Sequence, residues 1–398
     1  MSLFASGVDE QVLDPLSTNI PASRSGHRSM QQPNDTLLAS ELMAAVSAAF
    51  RSNAAMYRDM GSPLYGSLFE QAANDPMLTE LASHGQAGAR PVHLLSAVHD
   101  LLLQDAGDPF SQFFATLSDN PAPPDQAFPH LRRFCREKRN EILSILHSRT
   151  VQSTYVDRCW SLMPALAYVS EFAGQPLNLI EIGCSAGVLL TFDRYSYDVP
   201  GHGIIGRKNA PLILRGRHAG RPPFRIPEVG ARIGIDLHPV DARSEADRRW
   251  LLALCLPELR EQQRNLDTAL GVVEQTKLRI LKGDALDLLP AALGSVEGPT
   301  CVFHSVCLLY WPPQAKETLH RQLLEAGRER DIFRLGFELS DSFDSYHAGR
   351  SAAPQAVHRP AGATFDVTFT QYSGGDAASH VIAHTTPDFT SVHWLGEV

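Results

Sequence analysis

Apolar residues recur at three- and four-residue spacing through the first part of the chain, in "SELMAAVSAAF", "PVHLLSAVHDLLLQ", "LRRFCREKRNEILSILH" and "YVDRCWSLMPALAYVSEF". That period belongs to amphipathic helices, and breakers such as "SDNPAPPDQ" separate them. No β-like run precedes residue 178. From Leu177 the pattern changes to short β-rich runs, "LNLIEIG", "ARIGIDL", "LRILKGD", "TCVFHSV" and "IFRLGFEL". Helical stretches follow most of them, including "SEADRRWLLALCL" with a Ser244–Asp247 capping signature and "AKETLHRQLLEAG". Alternation of this kind predicts a mostly parallel sheet with helices on both faces. Near the end, "ATFDVTFTQYSGGDAASHVIAHT" predicts two strands around a Gly-Gly turn, an antiparallel edge.

The pattern divides the chain into a flexible tail at residues 1–34, rich in Ser, Pro, Asn and Gln, a helical domain at 35–175, and an α/β domain at 176–398. Composition adds limits. A chain of 398 residues with 43% apolar and 20% charged residues is an ordinary globular protein, long for one core. A net charge of −9 argues against wholesale nucleic-acid binding, which needs a positive face to displace counterions. The six cysteines form no C-x-x-C pair, and Cys301 and Cys307 in one apolar run suit buried small hydrophobes. The N-terminus lacks a signal-peptide pattern, and no run of 18 apolar residues occurs. The expectation is a reduced, cytoplasmic protein that binds neither membrane nor nucleic acid; nothing indicates its oligomeric state.

Residues 179–190, "LIEIGCSAGVLL", hold the candidate chemistry. Gly183-Cys184-Ser185-Ala186-Gly187 matches G-x-S-x-G, the nucleophile elbow of a serine hydrolase, and Asp236 and His304 follow in triad order. An elbow normally comes after several strands, whereas this strand would be the first. A G-x-G-x-x-G dinucleotide loop fits poorly, since Ser185 and Val188 stand where glycines are needed. The remaining pattern, Glu181-x-Gly183-x-x-x-Gly187, suits a class I S-adenosylmethionine (SAM) loop opening into a helix. There, small residues let the backbone approach the ligand. Two more strands end in acids: "GIDLHP" puts Asp236 where it can accept from both ribose hydroxyls, and "KGDALD" puts Asp284 and the Ala285 N–H at an adenine edge.

The segments "SRTVQSTYVDRCWSLMPALA", "LIEIGCSAGVLLTFDRYSYD", "GIDLHPVDARSEADRRWLLALCLPE", "GDALDLLP" and "VFHSVCLLY" resemble those of a bacterial family, domain of unknown function 2332, over roughly residues 35–395. The resemblance implies a class I methyltransferase-like Rossmann core with SAM contacts at Glu181, Gly183, Gly187, Asp236 and Asp284. Ser185 departs from loops of this type, which often carry a middle glycine, and is counted among the cofactor residues.

Residues at about 199–228 form an insertion in which Arg207, Lys208, Arg215, Arg217, Arg221 and Arg225 fall with no acid between Asp198 and Glu228. Its glycines and prolines predict an irregular flap, either a lid attracting an anionic substrate through Arg215 and Arg217 or a solvated loop. At the fourth strand tip, "FHSVCLLYWPP" offers His304 as general base, imidazole titrating near neutrality; a strand-end histidine held by hydrogen bonds is the plain alternative. Amino-methylating nucleic-acid enzymes carry Asn- or Asp-Pro-Pro-aromatic there, which this chain lacks. Tyr195, Tyr310 and Trp311 are candidate pocket walls or core residues. Arg158 is a candidate for the cofactor carboxylate or a partner of Asp157 or Glu181. His380 and His384 give no metal signal, because i and i+4 on a strand stand ~13 Å apart. The expected protein is therefore a doubly wound α/β methyltransferase using SAM on a small molecule. The alternatives are a SAM- or nucleoside-binding protein without catalysis and, third, a hydrolase using Ser185.

Overall fold

The structure, a computed structural model, describes residues 33–173, 176–339, 365–386 and 388–396. The expected tail lies outside the described residues up to residue 32. The chain falls into two compact units. The first is helical: α1 (Pro33–Asp59), α2 (Pro63–Ala72), α3 (Pro76–Ser83), α4 (Arg90–Gln104), α5 (Phe128–Glu137) and α6 (Arg139–Ser148). Proline opens most of these helices, where its missing N–H costs nothing. Asp75 caps α3 by accepting from the N–H groups of Met77 and Leu78. Phe50, Phe69, Leu94, Phe110 and Phe114 are among the side chains that fill the core.

This unit takes in a remote piece of chain, Ala253–Arg260. Leu256 joins its core. Glu258 accepts from Ser62 Oγ (2.6 Å) and the Leu64 N–H (2.9 Å) at the start of α2.

The second unit begins at Gln152, so α7 (Cys159–Ala173) belongs with the sheet and not with the helical half where its period groups it. Its strands are β1 (Leu177–Ile182), β2 (Ser196–Val199), β3 (Gly203–Gly206), β4 (Ile213–Arg215), β5 (Arg217–Ala219) and β6 (Val229–Asp236). After α8 (Glu245–Ala253) and α9 (Arg260–Glu274) come β7 (Arg279–Lys282), α10 (Ala285–Gly294), β8 (Thr300–Ser305), α11 (Pro313–Ala326) and β9 (Ile332–Leu339). Strands β10 (Phe365–Ser373), β11 (Asp376–Thr385) and β12 (Ser391–Trp394) complete it. Nine strands form one sheet in the order β5-β12-β11-β10-β9-β8-β1-β6-β7.

From β7 to β9 every pairing is parallel, and all six residues of β1 and of β8 are buried, as central parallel strands require. The fold is thus a doubly wound, mostly parallel α/β sheet, a Rossmann-like core. Isoleucines 180, 182, 233 and 235 pack with Leu289, Leu319 and Leu323 from α10 and α11. The hairpin β10–β11 turns at Gly374-Gly375 and is antiparallel as expected, but it is not the edge: β12 pairs with β11 and β5 pairs with β12 beyond it. Among the described residues, no helix is long and apolar enough to cross a membrane.

Two expectations need correction. No α-helix follows the first loop; residues Leu189–Arg194 make one short 3-10 stretch, kinked at Thr191, which leads into β2. The Thr191 hydroxyl bonds back to Val188 O, and Tyr195 and Tyr197 lock onto Val188 O and Phe192 O, so the local hydrogen bonds leave no room for a longer helix. Nor is the basic insertion an irregular flap. It supplies β3 and β4 to a three-stranded sheet, β3-β2-β4, and β5 to the edge of the large one.

Candidate functional site

The chain leaves β1 toward β6 and β7 on one side, then returns to β8 and β9 on the other. The carboxyl ends of β1 and β8 therefore flank the switch point at which open α/β sheets bind ligands. The turn after β1 is held in an unusual shape. Gly183 and Gly187 have φ of +75° and +81°. A Cβ on Gly183 would stand 2.8 Å from Cys307 Sγ, so the loops after β1 and β8 touch only because glycine is there. Between the glycines Ser185 adopts φ +52°, a strained value for a residue with a side chain.

Asp236, 4% exposed at the tip of β6, anchors this turn. Its Oδ2 accepts from the Ser185 N–H at 2.8 Å, and Oδ1 accepts from the His238 N–H at 2.8 Å. Gln152 Nε2 donates to both oxygens, at 2.8 and 2.7 Å. The carboxylate faces the first loop, as the sequence predicts.

Around the same turn lie buried polar atoms that, among the described residues, have no partner: Glu181 Oε2, Arg158 Nε, Ser185 Oγ and Ser305 Oγ. Arg158 sits in the 3-10 turn Val156–Arg158, donates through Nη1 to Ser305 O (3.1 Å) and stands 5.0 Å over the Phe389 ring. Burial lowers its pKa against the pull of Tyr155, Glu338 and Glu181. Burial likewise pushes the Glu181 carboxyl well above the usual range; Arg158 opposes that rise and Asp236 adds to it. An unpaired buried polar group costs about 1–3 kcal/mol. Four of them lie around one turn in which Gly183 is exposed and Cys184 to Gly187 are buried. Next to it, Asp157 is pushed up to about 6, chiefly by burial.

The loop after β8 is equally constrained. Val306 has φ +53°, exceptional for a β-branched residue. Glu338, at the end of β9, accepts from the N–H groups of Cys307 (3.1 Å), Leu308 (3.0 Å) and Leu309 (3.3 Å). Burial alone would raise its pKa; the His304 hydrogen bond and charge, with these N–H groups, outweigh burial and lower it.

His304 is not placed as a general base. It is 0% exposed, its Nδ1 lies 2.7 Å from Glu338 Oε1, and its Nε2 accepts from Arg334 Nε at 3.1 Å. Burial lowers its pKa, against the pull of Glu338. Both ring nitrogens are used, so the plain alternative holds. The same geometry dismantles the hydrolase triad, in which the histidine would bridge the acid and the serine hydroxyl: His304 is bonded to Glu338 and Arg334, and Asp236 to Gln152 and the backbone of Ser185 and His238.

Other expected site residues scatter. Asp284 is exposed and caps α10 through the Leu286 N–H (2.7 Å), while Ala285 is buried in the core. Tyr195 is no pocket wall: it is fully buried, its hydroxyl donating to Val188 O at 2.9 Å and lying 2.6 Å from Thr191 Oγ1. Tyr310, by contrast, is 78% exposed beside the β8 loop. Arg215 pairs with Asp198 (3.4 Å) on the small sheet, and Arg217 lies on the edge of the large one, both exposed. Two arginines separated by Gly216 thus part onto separate sheets. Beside the first loop a cavity of about 310 Å³ opens, lined by Ala186, Val240, Arg243, Val273 and Leu278 among others. Sequence reasoning missed Gln152 and Glu338. Glu338 had a signal, an acid closing an apolar strand; Gln152, in an irregular stretch, had none.

A search of curated proteins finds no match. Among solved structures, the plantazolicin methyltransferase BpumL, in complex with a triazolic desmethylPZN analog and SAH, is similar at 14% identity and a TM-score of 0.21, covering 67% of each chain. A family model described as "Uncharacterized protein conserved in bacteria (DUF2332)" matches residues 47–394. The chain belongs to that family, domain of unknown function 2332.

Proposed function

We propose that the chain binds S-adenosylmethionine at the turn Gly183–Gly187 and methylates a small molecule. The observation that carries this reading is the set of buried, unpartnered atoms on Arg158, Glu181, Ser185 and Ser305 around that turn, with Asp236 directed at it. The group fits these residues. Arg158 Nε suits a ligand carboxylate, Glu181 an ammonium group, and Asp236 a ribose diol. Bound there, SAM would supply an electrophilic methyl carbon. The protein's own part is to bind and orient: the two fixed turns after β1 and β8 hold the ligand's polar ends, and Tyr310 stands exposed where an acceptor would enter. A ligand ammonium beside Glu181 favours its ionised form, so binding releases a proton from a carboxyl that burial holds up.

Titration calorimetry with SAM and its demethylated product, in buffers of different ionisation enthalpy, tests this: micromolar binding with proton release is expected, and heats absent for both ligands refute it. A second reading, SAM or nucleoside binding without catalysis, gains from the sealed position of His304. Tight binding with no methylated product from a broad metabolite panel, read by mass spectrometry, would favour it.

A further inference from the structure

We infer that Gln152 is an internal competitor for the diol-binding edge of Asp236, and that it sets the affinity of the site for ribose-bearing ligands. The inference rests on the adenosyl-binding reading and deepens it. An ionised carboxylate offers about four lone-pair positions. On Asp236 all four are in use: the N–H groups of Ser185 and His238 take one each, and the two N–H bonds of the Gln152 carboxamide take the other two, one per oxygen, at 2.8 and 2.7 Å. Ser185 and His238 donate from the backbone and cannot leave without unmaking the turns they belong to. Gln152 donates from the end of a flexible, partly exposed side chain in an irregular stretch that follows α6. It is the one donor of the set that can withdraw.

Two N–H bonds on one carboxamide and two O–H bonds on neighbouring ribose carbons present the same pattern to a carboxylate. A vicinal diol can replace Gln152 bond for bond, whereas a ligand with one hydroxyl leaves an oxygen short. Selection for the diol then comes from Asp236, and the threshold that every ligand must overcome comes from Gln152.

Calorimetry with adenosine, 2′-deoxyadenosine and the demethylated product of SAM as probes, on the full chain and on Gln152→Ala and the near-isosteric Gln152→Met, separates the possibilities. Both variants should bind all three probes roughly tenfold tighter, about 1.4 kcal/mol, with the adenosine-to-deoxyadenosine ratio unchanged because the same donor has been removed for each. Affinity that is equal or weaker in both variants overturns the inference, since Gln152 would then be neutral or a ligand contact. Failure of all three proteins to bind any probe overturns the adenosyl reading, and the inference with it. NMR of the unsubstituted protein stands apart from variant folding: saturating adenosine should shift the Gln152 side-chain amide signals, and unmoved signals in a protein that binds adenosine refute displacement.

Discussion

At the scale of single residues, the site is governed by where charge is buried. Asp236 keeps both the first turn and the proposed diol edge in place, so Asp236→Ala should lower affinity for SAM by about 1–3 kcal/mol. Calorimetry checks it, and unchanged affinity would remove Asp236 from the site. Asp157 gives a pH signature. Its folded carboxyl titrates near 6 against an ordinary 3.8, so the native state holds the extra proton. Stability from this group is intact below about pH 4 and is lost as pH rises through 6. The penalty at pH 8 is about 3 kcal/mol. Asp157→Asn should therefore raise the unfolding midpoint clearly at pH 8 and hardly at pH 4; an equal rise at both pH values would contradict the buried-acid account. Val306, held at φ +53°, stores strain on the order of 1–3 kcal/mol. Val306→Gly should stabilise the chain by about 1 kcal/mol in urea unfolding, after the entropy cost of glycine.

At the scale of elements, local period predicted the five parallel strands with bounds close to those observed, because each is a short apolar run between polar turns. It failed where tertiary partners decide. The loop pattern at Gly183–Gly187 implies a helix after it, yet Tyr195 and Tyr197 donate into the preceding turn and end it early. The insertion reads as a flap because its strands are only three or four residues long, below what alternation can reveal. Gly216 marks the join between its two sheets. A Cβ there would stand 2.5 Å from Thr390 O and from the Trp160 ring. Gly216→Ala should cost about 1–3 kcal/mol by overpacking, seen as a lower denaturant midpoint, although its φ is unremarkable.

At the scale of the whole chain, linear order and compact units part company. Ala253–Arg260 interrupts the strand–helix alternation of the second unit and completes the first. There Glu258 satisfies the buried Ser62 hydroxyl across 196 positions of sequence. Glu258→Ala should destabilise the helical unit by about 1–3 kcal/mol, measured by hydrogen exchange of α2.

Apolar period and turn residues by themselves determined the helical half, the parallel sheet and the acid-tipped strands, since these follow from which faces must leave water. The glycine turn and Asp236 were legible for the same reason: backbone approach and a strand-end carboxylate leave marks in local sequence. Only the tertiary structure decided which polar groups end up paired. It sealed His304 between Glu338 and Arg334, turned Asp284 into a cap, and brought Gln152 to Asp236 and Arg158 to Ser305. Those outcomes depend on contacts between positions far apart in the chain, and hydrogen-bond satisfaction in a buried site is a property of the packed set, not of any segment in it.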